Sequence, residues 1–230
     1  FFRLYTLDEP PKEESFKGAG QPWGIEELVV KKFPTCGIHH PNILSAIYLK
    51  NNYGFNTADI EKCEFFLRDG ANTLVSMPYS PDKIPQISAQ FSAPWAIAQA
   101  LSKGNLTLRD FNNDAVLNNQ DTADLAARTI EVNSFNDLNL KQYPERKKGC
   151  KYIKVYLNDG TILEHEWPEK DFWKTIDEVK DKFRECFINT PSEQLMERTI
   201  DSIFNLNHAK NIKKLLSLMS DLASTGRSFG

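Results

Sequence analysis

The spacing of apolar residues in the first two thirds of the chain changes between strand-like and helix-like patterns. Residues 25–31 are apolar enough to form a short strand, and residues 60–68 alternate with a period of two, which predicts a second strand. Between them, apolar residues from Pro41 onward recur at spacings of three and four and predict a helix that ends near Gly54.

The middle of this region contains a long segment without periodicity, followed by an alanine-rich one. Residues 71–87 carry three prolines and predict a long loop, a type of segment that is often functional in a compact domain. Residues 88–103 predict a helix capped by Gly104, and residues 129–133 predict another strand. Two cap-like pairs predict short helices: Thr107 with Asp110, and Asp121 with Asp124.

The clearest local signal is a β-hairpin. Residues 152–157 and 161–167 each alternate apolar and polar side chains, and Asn158-Asp159-Gly160 between them has the composition of a turn. His165 falls on the second strand, where we expect it to be a cross-strand surface residue.

From Lys170 to the end, the pattern becomes helical and predicts three amphipathic helices with wide apolar faces. The fold class is therefore α+β, with boundaries expected near residues 22 and 168. Residues 1–22 form a linker or the end of a preceding helical region, 23–168 an α+β domain, and 169–230 a helical segment. The apolar faces need a partner, and the chain begins with Phe1 rather than methionine, so we expect a fragment or one part of a split protein.

Composition excludes several classes of function. The net charge of −3 is too close to neutral to predict binding to nucleic acid or to an acidic membrane surface. No apolar run approaches the roughly 18 residues of a membrane span. The four cysteines are scattered without a CxxC pair, so neither a structural zinc site nor a disulfide is expected. We interpret them as reduced thiols in a cytoplasmic protein.

The stretch KKFPTCGIHH, residues 31–40, concentrates residue types that can perform chemistry. Lys31 is either an exposed surface lysine or an anchor for an anionic substrate. His39 and His40 point about 100° apart at a helix start, so no shared metal is predicted; either histidine is a general acid or base, or simply exposed. Cys36 lacks an evident triad, which argues against a nucleophilic thiolate.

A second candidate region precedes and begins the alanine-rich helix. Gln86, Ser88, Gln90 and Ser92 interleave with apolar residues, and free N–H groups at a helix start suit carboxylates. Ordinary helix capping explains the same pattern. The chain contains no glycine-rich phosphate loop, HExxH or GxSxG motif, so ATP, NAD and metal-hydrolase functions have no support.

Taken together, three motifs resemble the C-terminal half of the MmgE/PrpD family, which includes 2-methylcitrate dehydratase, cis-aconitate decarboxylase and iminodisuccinate epimerase. The resemblance extends from about Trp23 to about Leu222. It is carried by the lysine, aromatic-proline, cysteine and histidine-proline loop at residues 31–41, by AQFSAPWA leading to ALSKG at residues 89–104, and by the hairpin with its helical tail.

This resemblance implies an α+β lid at residues 23–168, followed by helices that complete a large helical domain built from an N-terminal half. It also implies a homodimer that uses no metal or organic cofactor and acts on a small di- or tricarboxylate. The shared chemistry moves a proton at a carbon next to a carboxylate, with loss of water, loss of CO₂, or inversion.

The resemblance also implies roles for individual residues. Lys31 and His40 would be catalytic, and Cys36 would line the site where some family members place a histidine. Trp95 falls where many members have tyrosine, and an indole cannot supply a hydroxyl. Together with Gln86, Ser88 and Ser92 from the second candidate region, Cys36 and Trp95 make up the set of predicted substrate-binding residues.

Three functions follow as hypotheses. The first is a cofactor-independent lyase, a dehydratase or decarboxylase acting on a substrate such as 2-methylcitrate or cis-aconitate, with this chain supplying about half of the active site. The second is an epimerase or isomerase on the same scaffold. The third is a non-catalytic module for carboxylate binding or assembly.

Overall fold

The computed structural model describes residues 12, 14, 17–18, 20, 28, 30–67, 75, 78–80, 84–132, 152–167, 175–187 and 193–225. The chain divides into two compact units, residues 1–31 and residues 32–230, and all regular elements given below belong to the second. In the first unit, Leu28, Val30 and Lys31 are not in a strand, and Leu28 is 73% exposed. At these three positions the strand prediction is wrong, because apolar content alone supplies no pairing partner; the rest of 25–31 lies outside the described residues.

A four-stranded mixed sheet forms the centre of the second unit. Its strands are β1 (Ile60–Phe66), β2 (Thr129–Glu131), β3 (Tyr152–Leu157) and β4 (Ile162–Glu166), in the order β2-β1-β3-β4. Strand β1 pairs in parallel with β2, and the pairs β1–β3 and β3–β4 are antiparallel. The period-two prediction for β1 is confirmed, since Cys63 and Phe65 both point into the core.

The predicted hairpin is confirmed as β3 and β4, with Tyr156 paired to Ile162 across the turn. Gly160 has a φ of 86°, a left-handed conformation that glycine adopts without steric cost. Asp159 Oδ1 accepts a hydrogen bond of 2.8 Å from the Thr161 N–H and thereby closes the turn.

Helix α1 (His40–Tyr53) packs against both the sheet and a second helix. It ends at Gly54, which has a φ of 66° and donates its N–H to the Lys50 carbonyl, as the sequence predicts. Asn42 holds the helix on the sheet, because its side-chain Nδ2 donates to the Phe66 and Tyr152 carbonyls, at 3.0 Å each.

The alanine-rich segment forms two helices, α2 (Pro85–Gln90) and α3 (Ala93–Lys103), where the sequence predicts one. Pro94 explains the break, since proline has no N–H to donate and its ring would clash with the Gln90 carbonyl. Ser92 is extended at the break and caps α3, and Gly104 ends it with a φ of 72°. Pro85 begins α2, so the predicted loop at 71–87 is helical at its end; most of its other residues lie outside the described ones.

Two short helices, α4 (Asn113–Leu117) and α5 (Gln120–Ala127), connect α3 to β2. The predicted cap pair of Thr107 and Asp110 is confirmed, and it begins a 3₁₀ turn at Leu108–Phe111. The second predicted cap is wrong: Asn119, and not Asp121, caps α5 by accepting a 3.2 Å hydrogen bond from the Thr122 N–H. Asparagine one residue before the helix has the geometry that an aspartate inside its first turn lacks.

The C-terminal part contains helices α6 (Ile176–Glu185), α7 (Glu193–Phe204) and α8 (Lys213–Thr225). The predicted series of three helices is therefore confirmed, and the α+β class with it. The residues Thr190-Pro191-Ser192-Glu193 have the pattern of a capping box for α7, and all of them but Glu193 lie outside the described residues. None of the helices among the described residues is long and apolar enough to cross a membrane.

Candidate functional site

The loop before α1 is attached to the break between α2 and α3 by one backbone hydrogen bond. The Cys36 N–H donates to the Gln90 carbonyl at 3.4 Å. The Gln90 carbonyl is available because Pro94, four residues later, has no N–H with which to continue a helix. Pro94 therefore leaves the Gln90 carbonyl free to accept the hydrogen bond from Cys36. This bond brings the motif at residues 31–41 into contact with the motif at residues 89–104.

A short 3₁₀ turn, Gly37–His39, leads from Cys36 directly into α1. It is closed by two backbone hydrogen bonds, from the His39 N–H to the Cys36 carbonyl and from the His40 N–H to the Gly37 carbonyl. Pro41 follows in the first turn of α1, where its fixed φ suits a helix start. The loop is therefore held at both of its ends.

Both histidines of the loop are buried, which differs from the exposed alternative that the sequence leaves open. His40 is 1% exposed, and its ring packs edge-on against Phe33 with the centroids 5.3 Å apart. His39 is also buried, with its ring 6.4 Å from that of His40. An imidazole removed from bulk water can act as a positioned acid or base, provided that substrate reaches it.

Trp95 and Ser92 lie at the start of α3, next to the attachment point. Trp95 is 0% exposed, and its backbone N–H donates to Ser92 Oγ at 3.3 Å, so Ser92 performs the capping role that the sequence allows. The Trp95 indole packs against the Tyr79 ring with the centroids 4.3 Å apart. Burial raises the pKa of the Tyr79 hydroxyl, so it is protonated and a hydrogen-bond donor at neutral pH.

Gln86 and Ser88 are half-buried residues of α2. The Gln86 N–H donates to Asn113 Oδ1 at 3.4 Å, and the Ser88 N–H donates to the Ile84 carbonyl at 3.0 Å. Since these N–H groups are used within the protein, a role for either residue in binding carboxylate has to come from its side chain.

The two lysines of the loop motif occupy different units. Lys31 is exposed and is the last residue of the first unit. Lys32 belongs to the second unit, where its Nζ lies 3.6 Å from Glu178 Oε1. The predicted catalytic role of Lys31 stays a prediction.

A cleft of about 400 Å³ opens between α1 and α6. Its apolar wall includes Phe33, Leu44 and Trp167, and its charged residues are Lys32, Lys182, Glu178, Asp181 and Glu185. Three carboxylates face two ammonium groups, so the charge of this cleft disfavours a multiply anionic ligand.

Among the described residues, no group of three or more His, Cys, Asp or Glu side chains could hold a metal ion. Cys36, Cys63 and Cys186 are free thiols, and Cys150 lies outside the described residues. Burial raises the pKa of Cys63 well above the usual range of a thiol, which makes it an inert core residue.

Sequence reasoning misjudged His165 and overlooked Asn42, Ser45 and Tyr79. His165 is half-buried rather than on the surface: its Nδ1 lies 3.0 Å from Ser45 Oγ, and its ring stacks on Tyr48 at 4.1 Å. Helix α1 covers this face of β4, which the hairpin pattern alone cannot reveal. The spacing of three between Asn42 and Ser45 on an apolar helix face was an available signal; Tyr79 had none beyond its place in a long loop.

The fold places this protein in the class of α+β domains. Its histidine-proline loop is hydrogen-bonded to the break between α2 and α3. A family model, the MmgE/PrpD C-terminal domain, matches residues 33–206, about three quarters of the chain. The protein therefore belongs to the MmgE/PrpD family, and the resemblance predicted from the sequence is confirmed. The match begins two residues after Lys31. A search of curated proteins found no match.

Proposed function

We propose that this chain is the lid and C-terminal helical part of a cofactor-independent lyase acting on a small di- or tricarboxylic acid. The observation that carries the proposal is the hydrogen bond between Cys36 and Gln90, which joins the two MmgE/PrpD motifs into one wall. The family includes dehydratases, and the nature of the substrate and of the leaving group is part of the proposal.

Two residues of the motif at residues 31–41 support the chemistry. His40 is buried at a fixed helix start, where a positioned imidazole can move a proton at the carbon next to a carboxylate. Lys31 supplies an exposed ammonium two residues before Phe33, and such a charge can hold a carboxylate or stabilise negative charge that develops on it. Cys36 and Trp95 then line the wall.

The other half of the active site, in this proposal, comes from an N-terminal helical half of the same or a separate chain. Apolar side chains exposed on α7 and α8 support this arrangement, because an exposed patch of this kind normally has a partner. They include Ile203, Phe204, Leu216 and Met219.

The experiment is to assay the intact protein, with its N-terminal half, on 2-methylcitrate, cis-aconitate and iminodisuccinate. Loss of water or CO₂ from one of them supports the lyase. Exchange of the α-proton in D₂O without loss of a leaving group identifies an epimerase instead. A folded dimer that binds a tricarboxylate without any turnover identifies a binding module.

The same assay tests the proposed role of Lys31 with one variant and one control. Lys31→Ala is expected to lower kcat/KM by at least about 100-fold, since an interaction with a developing charge is lost. Lys32→Ala is the matched control, because Lys32 is the adjacent lysine and its Nζ lies 3.6 Å from Glu178 Oε1. The activity of this variant should stay within about twofold of wild type. Equal activity of wild type and Lys31→Ala would remove Lys31 from the mechanism.

His40→Gln tests the acid–base role through a readout that a structural role does not change. The pH–rate profile should lose one limb in this variant, because the titrating group is gone. If kcat falls while the shape of the profile is retained, His40 only supports the packing around Phe33.

A further inference from the structure

Two buried hydrogen-bond donors belong to aromatic rings that are in contact at the start of α3. The Tyr79 hydroxyl and the Trp95 indole Nε1 are both closed to solvent, and neither has a hydrogen-bond partner among the described residues. Their rings are in contact, with the centroids 4.3 Å apart and the planes inclined by 42°. Other buried polar atoms lack a hydrogen bond as well, Trp167 Nε1 for example; Tyr79 and Trp95 differ from that case in that both rings of a contacting pair carry such a donor.

Such a pair is costly unless an acceptor completes it. Buried donors in folded proteins are almost always bonded, and each exception calls for an explanation. The Tyr79 hydroxyl oxygen can accept a hydrogen bond as well as donate one, but the indole only donates, so the two groups cannot satisfy both donors between themselves. The complementary ligand therefore carries at least two acceptor lone pairs in one small group, and a carboxylate has this property.

We propose that Tyr79 is a substrate-binding residue that acts together with Trp95, the two donating to one carboxylate of the substrate. This inference rests on the proposed function for the class of ligand. It assigns to Tyr79 the hydroxyl that an indole at position 95 cannot supply. The raised pKa of Tyr79 keeps that hydroxyl protonated, as a donor to an anion must be.

Tyr79 is the more accessible member of the pair. Trp95 lies in the core, whereas Tyr79 is half-buried, and its chain neighbours Pro78 and Ser80 are exposed. Phe91, at the break between α2 and α3, is also exposed. A ligand would therefore approach from the Tyr79 side of the pair, and the proposal requires that the Tyr79 ring moves to admit it.

The first part of the test uses the ligand-free protein and thermal unfolding. Tyr79→Phe removes a hydroxyl without a partner, so its Tm should equal or exceed that of wild type. Tyr156→Phe is the matched control: its hydroxyl donates to Glu64 Oε2 at 2.8 Å, so its Tm should fall. A fall in Tm for Tyr79→Phe as large as that for Tyr156→Phe shows an internal partner and overturns the proposal.

The second part uses citrate as the probe and NMR of the indole N–H groups in the intact protein. Each tryptophan gives one indole N–H signal, and the signal that is missing from Trp95→Phe belongs to Trp95. Citrate should move this signal downfield, and Tyr79→Phe should raise the Kd for citrate about tenfold. Trimethyl citrate, which lacks the charged acceptors, should leave the signal in place.

The outcomes separate this inference from the proposed function. If citrate or a substrate binds while the Trp95 signal stays fixed and Tyr79→Phe keeps the wild-type Kd, Tyr79 is not a binding residue and the lyase proposal stands. If no carboxylate binds or turns over, the proposed function fails, and the assignment of a carboxylate to this donor pair fails with it.

Discussion

Helices α3 and α8 both carry apolar residues at helical spacing, yet their environments differ. In α3 nine of the eleven residues are buried, and α1, α2, α5 and β2 surround the helix. Helix α8 packs against α7, and its residues Leu218 and Leu222 are buried. On the same helix, Leu216 and Met219 are 54% and 50% exposed. The spacing of apolar residues thus predicts each helix and its apolar face. Whether that face is buried depends on the other elements that pack against it.

The largest expected effect compares a leucine from each helix. Leu101→Ala in α3 should lower the free energy of unfolding by about 3 kcal/mol, because it leaves a cavity in the core. Leu216→Ala in α8 should change it by less than about 0.5 kcal/mol in this chain, since the side chain is already exposed. Urea unfolding of both variants measures the difference.

The variant Leu216→Ala also tests whether an N-terminal half covers α8. In a protein that includes that half, Leu216→Ala should become destabilising by about 2 kcal/mol, because the face is then covered. A cost that stays below about 0.5 kcal/mol in both forms would show that α8 is not part of the interface.

The second prediction concerns the polar network that attaches α3 to the following 3₁₀ turn. Asp110 accepts hydrogen bonds from Gln99 and Lys103, and from both the N–H and the hydroxyl of Thr107. Burial acts to raise the pKa of Asp110, but the hydrogen bonds from Lys103 and Thr107 outweigh it and hold this pKa below the ordinary value. Asp110→Asn should therefore cost about 2 kcal/mol at pH 7.

The pH dependence of this effect has a defined sign. The ionised carboxylate is stabilised in the folded state, so its contribution is full above the unfolded pKa of about 3.9 and declines as the pH falls through the lowered folded pKa. Denaturant unfolding between pH 7 and pH 2 should show wild type and Asp110→Asn converging at low pH. Asp114→Asn, at an exposed position of α4, is the control and should follow wild type throughout.

The third prediction concerns the end of α3. Gly104→Ala should cost about 1–2 kcal/mol, because a residue with a side chain is strained at a φ of 72° and its Cβ would meet Asn51 and lie 3.3 Å from Lys50 Cγ. Gly160→Ala is the control, with a similar φ of 86° but open space around the added Cβ. A smaller loss of Tm for Gly160→Ala than for Gly104→Ala would isolate the effect of packing, and equal losses would assign the whole cost to the backbone.

The smallest expected effect lies in the helical tail. Arg184 Nε and Nη2 bind the two oxygens of Glu197 at 2.7 and 2.8 Å and link α6 to α7. The hydrogen bond from Arg184 lowers the pKa of Glu197, so the contribution of the pair is present at neutral pH and is lost as the pH falls through that lowered value. Glu197→Gln should reduce Tm slightly in dilute buffer and not at all in 1 M NaCl, because exposed ion pairs are weak and screened by salt. A salt-independent loss would mean that the pair is buried by a further part of the protein.

Several features of the site were within reach of sequence reasoning because they depend on local chemistry. Gly54 and Gly104 end their helices as predicted, since only the neighbouring residues decide a helix cap. The loop around Cys36 and the start of α3 at Ser92 are each recognisable as motifs from their residues, although the sequence does not show that they are in contact. Pro94 explains why α2 ends at Gln90. The high alanine content of the segment nevertheless favours the prediction of one continuous helix.

The sequence alone determined the α+β class, the hairpin, the three terminal helices and the family, because periodicity, turn residues and motif spacing are properties of short segments. Only the tertiary structure decided that His40 is buried under Phe33, that His165 stacks on Tyr48, and that Tyr79 and Trp95 present two donors together. These contacts join residues from separate elements, and the packing that brings them together depends on the whole domain rather than on any local pattern.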